Sequence, residues 1–216
     1  MTKADLSSET SEQARKLFMQ PCSFVMAAPS PQHLPASSLP EVAFIGRSNA
    51  GKSSLINALT NRSDLARTSN TPGRTQEIIF FDLAQRLMLV DLPGYGHADA
   101  PRAEKDRWNE LVHHYLQKRN ILRCVCLLLD GRHGILANDL AMMQFLNRAA
   151  ASYQVVLTKM DQVHVTEHAK RIAQVTASLG TQGAARPEVL ATSSRKNAGI
   201  AELRTFLAGF AETPKT

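Results

Sequence analysis

The sequence has few cysteines and no long apolar run, and both shortages narrow the possible classes of protein. Its 216 residues include only three cysteines, and an odd, sparse set does not form a disulfide framework. Cys124 and Cys126 lie two apart, but a zinc site would need a further pair of ligands nearby. No apolar stretch approaches the roughly 20 residues of a membrane-spanning helix, so we expect no transmembrane segment.

The beginning of the sequence lacks the features of a secretory signal. Arg15 and Lys16 precede a partly apolar stretch, but Pro21 interrupts that stretch. Acidic residues also stand where a signal peptide would carry basic ones. We therefore expect a cytoplasmic protein.

The chain is the right size for one domain with its own apolar core. Apolar residues make up 44% of the sequence, and a chain of this length buries roughly 70% of its unfolded surface on folding. It therefore needs neither a disulfide nor a structural metal, and we expect a single domain with a short tail.

Basic residues exceed acidic ones by six, and the excess lies in the second half of the chain. Up to residue 100 the two kinds balance, whereas 101–150 and 151–216 each contain eight basic and five acidic residues. The excess is diffuse, without a run of more than two basic residues. It fits either a well-solvated surface or a face that meets a polyanion such as RNA.

Strand and helix patterns alternate from residue 41 onward. The first forty residues, which are rich in Ser, Pro and Ala, predict an extension with one short helix at 11–18, so the folded core should begin near Glu41. Beyond it, the patterns predict strands at 42–45, 78–82, 86–91, 124–129, 154–157 and 188–191, and helices at 52–60, 103–118, 139–150, 166–179 and 200–210. The runs 78–82 and 86–91 should form a hairpin, the one antiparallel pair expected. The alternation predicts an α/β fold with a mostly parallel sheet covered on both faces.

The segment 46–53 fits the phosphate-loop pattern G-x-x-x-x-G-K-[ST] and lies between a predicted strand and a predicted helix. In such a loop, glycines let successive backbone N–H groups face phosphate oxygens. Lys52 then reaches the terminal phosphates and the Ser53 hydroxyl binds magnesium. The positive end of the following helix adds to phosphate binding.

Two further segments point to the same phosphates. Asp91 ends a predicted strand in Asp-Leu-Pro-Gly, where the carboxylate can hold magnesium through water and the Gly94 N–H can meet a γ-phosphate. Between this turn and the phosphate loop lies Thr-Pro-Gly-Arg-Thr at 71–75. One threonine hydroxyl there can complete the magnesium shell while the γ-phosphate is present. Thr75 is preferred over Thr71 because it lies nearer the next strand.

The segment Thr158-Lys-Met-Asp161 follows another predicted buried strand and indicates the base. A carboxylate accepts two parallel hydrogen bonds from the ring N–H and the amino group of guanine, a pattern that adenine lacks. Asp161 therefore predicts GTP rather than ATP. Lys159 can lie along the base, and the loop 192–194 can offer backbone N–H groups to the guanine carbonyl.

With these motifs, the chain resembles the EngB family of small bacterial GTPases within the Era-like group. The resemblance covers nearly the whole sequence, and its specific features also include Tyr95-Gly96 and Asp130-Gly-Arg-His133. It implies a Ras-like P-loop G domain with a mostly parallel six-stranded sheet, one antiparallel strand and helices on both faces. We expect the chain to consist of a flexible N-terminal extension at 1–22, a single G domain at 23–212 and a C-terminal tail at 213–216.

The resemblance also implies the ligands and the residues that hold them. The ligands are GTP or GDP and Mg²⁺, with Ser53 and Thr75 as magnesium ligands. The nucleotide would be held by residues from five segments: Gly46, Arg47, Ser48, Asn49, Ala50, Gly51, Lys52, Ser53; Gly73, Arg74, Thr75, Gln76, Glu77; Asp91, Leu92, Pro93, Gly94; Thr158, Lys159, Met160, Asp161; and Thr192, Ser193, Ser194.

Two residues bear on the mechanism of hydrolysis. Tyr95 stands where Ras-like enzymes keep a glutamine that orients the attacking water, so we expect slow intrinsic hydrolysis. Asn49 resembles the phosphate-loop asparagine that binds potassium in some relatives, where the cation would stabilise charge between the β- and γ-phosphates. The alternative is an asparagine that only hydrogen-bonds its own loop. His97, beside the Asp91 turn, is not assigned as a general base.

The resemblance implies a monomeric molecular switch in assembly of the large ribosomal subunit, with effects on cell division and septation. Its partners would be ribosomal RNA and proteins, and not a membrane. The alternative is a GTP-binding module at the division machinery with negligible turnover. A P-loop small-molecule kinase is disfavoured by the guanine preference of Asp161.

Overall fold

The computed structural model describes residues 3–66, 77–96 and 101–213. Six α-helices and seven β-strands lie in these ranges. They are, in chain order, α1 (Lys3–Phe18), β1 (Cys22–Ala28), β2 (Glu41–Gly46), α2 (Lys52–Thr60), β3 (Ile78–Leu83), β4 (Leu87–Asp91), α3 (Arg102–Lys118), β5 (Leu122–Asp130), α4 (Ala137–Arg148), β6 (Tyr153–Thr158), α5 (His168–Leu179), β7 (Ala185–Ala191) and α6 (Ile200–Ala208). From β2 onward, each predicted strand and helix is present, with ends shifted by a few residues at most.

The strands form one mixed sheet in the order β1-β3-β4-β2-β5-β6-β7. Strand β3 runs antiparallel to both of its neighbours, and the remaining pairs are parallel. The mostly parallel sheet with one antiparallel strand is therefore confirmed. The predicted number of six strands is wrong, because β1 adds a seventh at the edge beside β3.

Strand β1 also adds a second antiparallel pair, although only the β3–β4 hairpin was predicted. Its sequence does not alternate cleanly, since only Cys22 and Ala28 are buried and a register shift separates Phe24 from Met26. A bulge of this kind moves side chains out of the two-residue period on which strand prediction relies. The edge strand was therefore not recognised.

The folded core begins well before Glu41, so that expectation is wrong. Helix α1 is twice the predicted length, and Leu17 and Phe18 at its end are buried in the apolar core that also contains residues of α2 and α6. The Arg204 guanidinium lies 5.8 Å from the centre of the Phe18 ring. The segment 1–22, expected to be an extension, thus contains a packed helix.

Two apolar cores lie on opposite faces of the sheet, which confirms helices on both faces. Alternate residues of a strand face opposite sides. In β2, Ala43 and Ile45 join the core under α3, α4 and α5, whereas Val42 and Phe44 join the core under α1, α2 and α6. The parallel strands between these layers place the loops after β2, β4, β5, β6 and β7 at one edge of the sheet.

A buried ion pair ties the start of β2 to the end of α3. The Arg119 guanidinium donates to both carboxylate oxygens of Glu41 at 3.0 and 2.6 Å, and the Tyr115 hydroxyl donates to the same carboxylate at 2.9 Å. Arg119 also donates to the carbonyl of Pro35. The contact holds the chain that leads into β2 against the α3 face.

The three cysteines are free and buried. Burial raises the pKa of Cys124 to about 11, so this side chain stays a neutral thiol near pH 7. Over the described ranges, no group of three or more His, Cys, Asp or Glu residues is arranged to hold a metal ion. In those same ranges, no helix is long and apolar enough to cross a bilayer.

Candidate nucleotide-binding site

Four of the predicted motifs meet where neighbouring strands end. The phosphate loop follows β2, Asp91 ends β4, Thr158 ends β6 and Thr192 follows β7. In open α/β sheets, ligands bind in the crevice at the carboxyl ends of the strands. The topology therefore gathers motifs that are far apart in the sequence into one candidate site.

The phosphate loop, residues 46–53, is shaped by residues with special backbone conformations. Asn49 and Gly51 have φ values of 64° and 90°, in the left-handed region. At Gly46, an added Cβ would lie 3.0 Å from both the Cβ and the carbonyl oxygen of Leu128, so a side chain there would require these neighbours to shift. The loop thus turns tightly from β2 into α2, whose first-turn N–H groups have no acceptors within the helix and favour an anion.

Lys52 and Asp91 form a salt bridge in the middle of the site. Both side chains are mostly buried, with exposed fractions of 15% and 7%. They are the residues expected to hold the terminal phosphates and magnesium, and here each neutralises the other. Ser53 is the next residue of α2, so a hydroxyl and a carboxylate, the oxygen donors that Mg²⁺ prefers, belong to one small region.

The turn after Asp91 is attached to the phosphate loop through its backbone. The Tyr95 N–H donates to the Gly46 carbonyl at 3.2 Å, and the Ser48 N–H donates to the Tyr95 carbonyl at 3.2 Å. Gly94 lies so close that an added Cβ would be 3.3 Å from the carbonyl oxygen of Gly46 and the nitrogen of Ser48. A movement of either segment must therefore involve the other.

Helix α3 also supports this turn. The indole N–H of Trp108 donates to the Pro93 carbonyl at 3.0 Å, and the ring packs against the core on this face of the sheet. Leu92 is fully buried in the same core. The packing of both side chains positions the turn.

The Tyr95 side chain reaches α4. Its hydroxyl donates to Oδ1 of Asp139 at 2.7 Å, and Oδ2 of Asp139 accepts the Leu136 N–H at 2.8 Å. Burial, together with the Asp139 charge, raises the pKa of Tyr95 well above its ordinary value. No local motif in the sequence marks Asp139 as a site residue, because its partner lies 44 residues away.

Lys159 joins the base segment to the phosphate loop. Its ammonium donates to the Asn49 carbonyl at 2.5 Å and to the Asp130 carboxylate at 2.9 Å. The Thr158 hydroxyl donates to the Ala50 carbonyl at 2.6 Å. The segment 158–161 is therefore held directly beside the phosphate loop. This closeness is needed if one nucleotide is to place its base at the first segment and its phosphates at the second.

Asp130, at the end of β5, supports Lys159. Burial opposes ionisation of its carboxyl group, but hydrogen bonds from Arg132 and Lys159 outweigh burial and hold the pKa of Asp130 well below its ordinary value. In the sequence, Asp130 is marked only as part of a motif that carries the family resemblance. Its position could have identified it as a site residue, since it is a carboxylate at the carboxyl end of a predicted buried strand, where ligands bind in such sheets. Arg132 makes a local ion pair with it.

The two predicted base-recognition segments are in direct contact. The Ser193 hydroxyl donates to Oδ1 of Asp161 at 2.6 Å, and the Met160 N–H donates to the Thr192 carbonyl at 3.1 Å. Gly199 keeps this region compact, since an added Cβ would lie 1.9 Å from the Ala191 carbonyl oxygen. Ser193 thus orients the carboxylate that the sequence assigns to guanine.

Several predicted residues lie outside the described ranges. These are Thr71, Gly73, Arg74, Thr75, Gln76 and His97. Glu77 is described and lies directly before β3. The remaining predicted residues belong to the four segments 46–53, 91–94, 158–161 and 192–194, which meet at the site.

Comparison with known proteins identifies close relatives. The family described as "50S ribosome-binding GTPase" matches residues 41–159. A "Probable GTP-binding protein EngB" of Bradyrhizobium diazoefficiens is 52% identical, with 96% of this chain and 97% of the relative covered. A protein with the same description from Rhodospirillum rubrum is 53% identical, with 93% of this chain and 89% of the relative covered. One from Nitrobacter winogradskyi is 54% identical, with 94% of each chain covered.

Solved structures share the fold at lower sequence identity. A crystal structure of a probable GTP-binding protein EngB superposes with a TM-score of 0.59 at 23% identity, covering 77% of this chain and 96% of its own. The structure of Era in complex with MgGDPNP and a 16S ribosomal RNA fragment superposes with a TM-score of 0.62 at 20% identity. It covers 82% of this chain and 58% of its own. Both describe P-loop GTPase folds, which agrees with the topology above.

Proposed function

Because the chain belongs to the EngB family of GTP-binding proteins, we propose that it is a GTPase switch in assembly of the large ribosomal subunit. The observation that carries the proposal is the contact of Lys159 with Asn49, which sets the base segment beside the phosphate loop. Asp161, oriented by Ser193, gives this site its guanine preference. The description of the matched family as ribosome-binding supports the choice of partner.

In the proposed complex, the phosphate loop and Lys52 bind the β- and γ-phosphates, while Asp161 binds guanine. Ser53 and, through water, Asp91 would hold Mg²⁺, and Thr75 would complete its shell when the γ-phosphate is present. The magnesium ion supplies charge stabilisation and orientation of the phosphates. For these contacts to form, Lys52 must exchange the Asp91 carboxylate for phosphate oxygens.

Hydrolysis is proposed to be slow in the isolated protein. The Tyr95 hydroxyl donates to Asp139, so its proton is engaged there and is not free to orient water. A potassium ion held by the Asn49 side chain would add positive charge between the β- and γ-phosphates. The large subunit would supply the remaining stimulation.

The switch itself is proposed to lie in the segments 61–76 and 94–104. The backbone bonds between Tyr95 and the phosphate loop support this, because they couple the second segment to the phosphates. GTP would favour a form that binds the assembling subunit as a monomer in the cytoplasm, and hydrolysis would release it. Failure of this cycle would affect cell division and septation through a shortage of large subunits.

Sedimentation of purified protein with large-subunit particles tests the proposal. The protein should pellet with particles in the presence of a non-hydrolysable GTP analogue and much less with GDP. The variant Lys52→Ala should lose the difference, because it lacks the phosphate-binding ammonium. Retention in neither nucleotide state would overturn the ribosomal role.

A second candidate, a GTP-binding module at the division machinery with negligible turnover, is favoured by the engaged hydroxyl of Tyr95. It predicts that large-subunit particles do not raise the rate of GTP hydrolysis. Measured turnover with and without particles therefore separates the two functions.

A further inference from the structure

An open groove of about 670 Å³ runs between α3 and α4, apart from the nucleotide site. Its α3 wall carries Asn109, His113 and Gln117, each four residues from the next and therefore on one face of the helix. Phe145 and Arg148 line it from α4. The volume lies within the range of roughly 300–1,000 Å³ that is usual for pockets binding small organic molecules.

Two basic side chains mark the end of this groove. Lys118 and Arg148 stand in the last turns of α3 and α4. Among the residues that the structure describes, neither has a carboxylate within ion-pair distance. Arg119, by contrast, is neutralised by Glu41. Lys118 and Arg148 are thus available to an anionic partner.

The surrounding sequence strengthens the positive character of the groove. Neither 111–129 nor 140–160, which include most of both walls and their following strands, contains an Asp or Glu. Among the described residues that line the groove, Glu110 is the acidic one, and it lies about two helical turns before Lys118, in the middle of α3. The field at the Lys118 end therefore favours phosphate groups.

The groove also offers groups that recognise bases. The Phe145 ring lies 5.5 Å from the His113 ring, with a tilt of 55° between them. Aromatic and histidine rings stack on unpaired bases, and amide side chains such as Asn109 and Gln117 both donate to and accept from base edges. Cations combined with stacking rings are typical of surfaces that bind single-stranded nucleic acid.

We propose that this α3–α4 groove binds an unpaired segment of RNA. Lys118 and Arg148 contact its phosphates, and a base enters beside Phe145 and His113. The inference rests on the proposed function, since the assembling large subunit is the source of such RNA. Both cations belong to the half of the chain in which basic residues exceed acidic ones.

Fluorescence anisotropy with a short, labelled, mixed-sequence single-stranded RNA tests the groove in the full-length protein. The double variant Lys118→Gln/Arg148→Gln should bind at least about tenfold more weakly at low salt, because it lacks two phosphate contacts. The slope of log affinity against log salt should become shallower by about 1.4, which is two contacts at roughly 0.7 each. His113→Ala should weaken binding about tenfold with the slope unchanged, because stacking is not a salt-dependent contact.

A matched control removes the same charge elsewhere. Lys16 and Lys170 are exposed side chains on α1 and α5, outside the groove. Lys16→Gln/Lys170→Gln should bind the RNA nearly as well as the parent protein. If this control weakens binding as much as the groove variant does, net charge and not the groove determines affinity, and the inference fails. Unchanged denaturation midpoints and GTP affinity in both variants show that the fold is intact.

Particle sedimentation separates this inference from the proposed function. If the parent protein binds neither particles nor RNA, both proposals fail. If it binds particles and the groove variant binds them equally well, only the groove is wrong. If the groove variant loses the particles but the parent protein does not bind the RNA probe, the partner at the groove is a protein and the RNA assignment is overturned. Equal affinity for duplex RNA would contradict the role of an unpaired base.

Discussion

The hydroxyl of Tyr95 donates a 2.7 Å hydrogen bond to Asp139, a residue that is only 2% exposed at the start of α4. Asp139 also accepts a hydrogen bond from the Leu136 N–H. One carboxylate therefore stabilises both the start of α4 and the turn beside the phosphate loop. The contact gives Tyr95 a structural role where Ras-like enzymes place a catalytic glutamine.

Tyr95→Phe should therefore change stability more than chemistry. Loss of a buried hydrogen bond to a charged acceptor should lower the free energy of unfolding by about 1.5–3 kcal/mol. The intrinsic rate of GTP hydrolysis should stay within about threefold of the parent rate, because the hydroxyl is already engaged by Asp139. Urea unfolding and single-turnover hydrolysis measure the two effects. A tenfold loss of rate at full nucleotide saturation would instead show that the hydroxyl takes part in hydrolysis.

The base preference should depend on Asp161 and, to a smaller degree, on Ser193. Asp161→Ala should abolish the preference for GTP over ATP, since the carboxylate that reads the guanine N–H groups is gone. Ser193→Ala should retain the preference with weaker GTP binding, because Asp161 loses the bond that orients it. Titration with fluorescent guanine and adenine nucleotides measures both. A GTP preference that survives in Asp161→Ala would disprove the assignment.

Asp130 should make stability depend on pH in the acidic range. Its pKa is lower in the folded protein than in the unfolded chain, so the ionised group stabilises the fold above about pH 4, and this contribution is lost as the pH falls further. The difference in unfolding free energy between the parent protein and Asp130→Asn should thus be constant near neutral pH and shrink below pH 4. The exposed carboxyl of Asp64 supplies the control, since Asp64→Asn should change the unfolding free energy little. A difference that grows on acidification would contradict this role.

Arg119 should be one of the more costly residues to replace. Arg119→Met leaves the buried Glu41 carboxylate without its cation, and breaking such a pair costs about 3–5 kcal/mol. Arg123→Met, which removes an exposed arginine nearby, should cost less than about 0.5 kcal/mol. Adding Glu41→Gln to Arg119→Met should restore part of the loss. Equal denaturation midpoints for the two single variants would refute the assignment.

Potassium should accelerate hydrolysis if Asn49 holds a monovalent cation. With large-subunit particles present, turnover in potassium buffer should exceed turnover in sodium buffer, and Asn49→Ala should remove the difference. Equal rates of the parent protein in the two buffers would rule out the cation.

The parts of the site that could be predicted from sequence are those in which one segment carries all the required groups. The phosphate loop is continuous from Gly46 to Ser53, and Asp91 stands at the end of its own apolar strand. The contacts that join segments have no such signature. Tyr95 and Asp139 are paired by the packing of α4 against the sheet, and no spacing rule indicates that pair.

The same reason explains the parts of the fold that were missed. Strand β1 lies at the sheet edge with a bulge after Phe24, so its side chains do not alternate. Ala14, Leu17 and Phe18 form a short apolar face on α1. Whether such a face is buried depends on α6, which comes much later in the sequence. Local pattern predicts helices and strands from β2 onward because there each element buries its own strong apolar face.

The packing of α1 on α6 has a consequence for synthesis. Helix α1 leaves the ribosome before any other described element, but Leu17 and Phe18 are buried together with Ile200, Leu203 and Leu207 of α6. Until α6 has been translated, these side chains stay uncovered on the nascent chain. One face of the sheet can therefore close only after translation has passed residue 207, and a chain that stops earlier exposes an apolar surface that chaperones and proteases recognise.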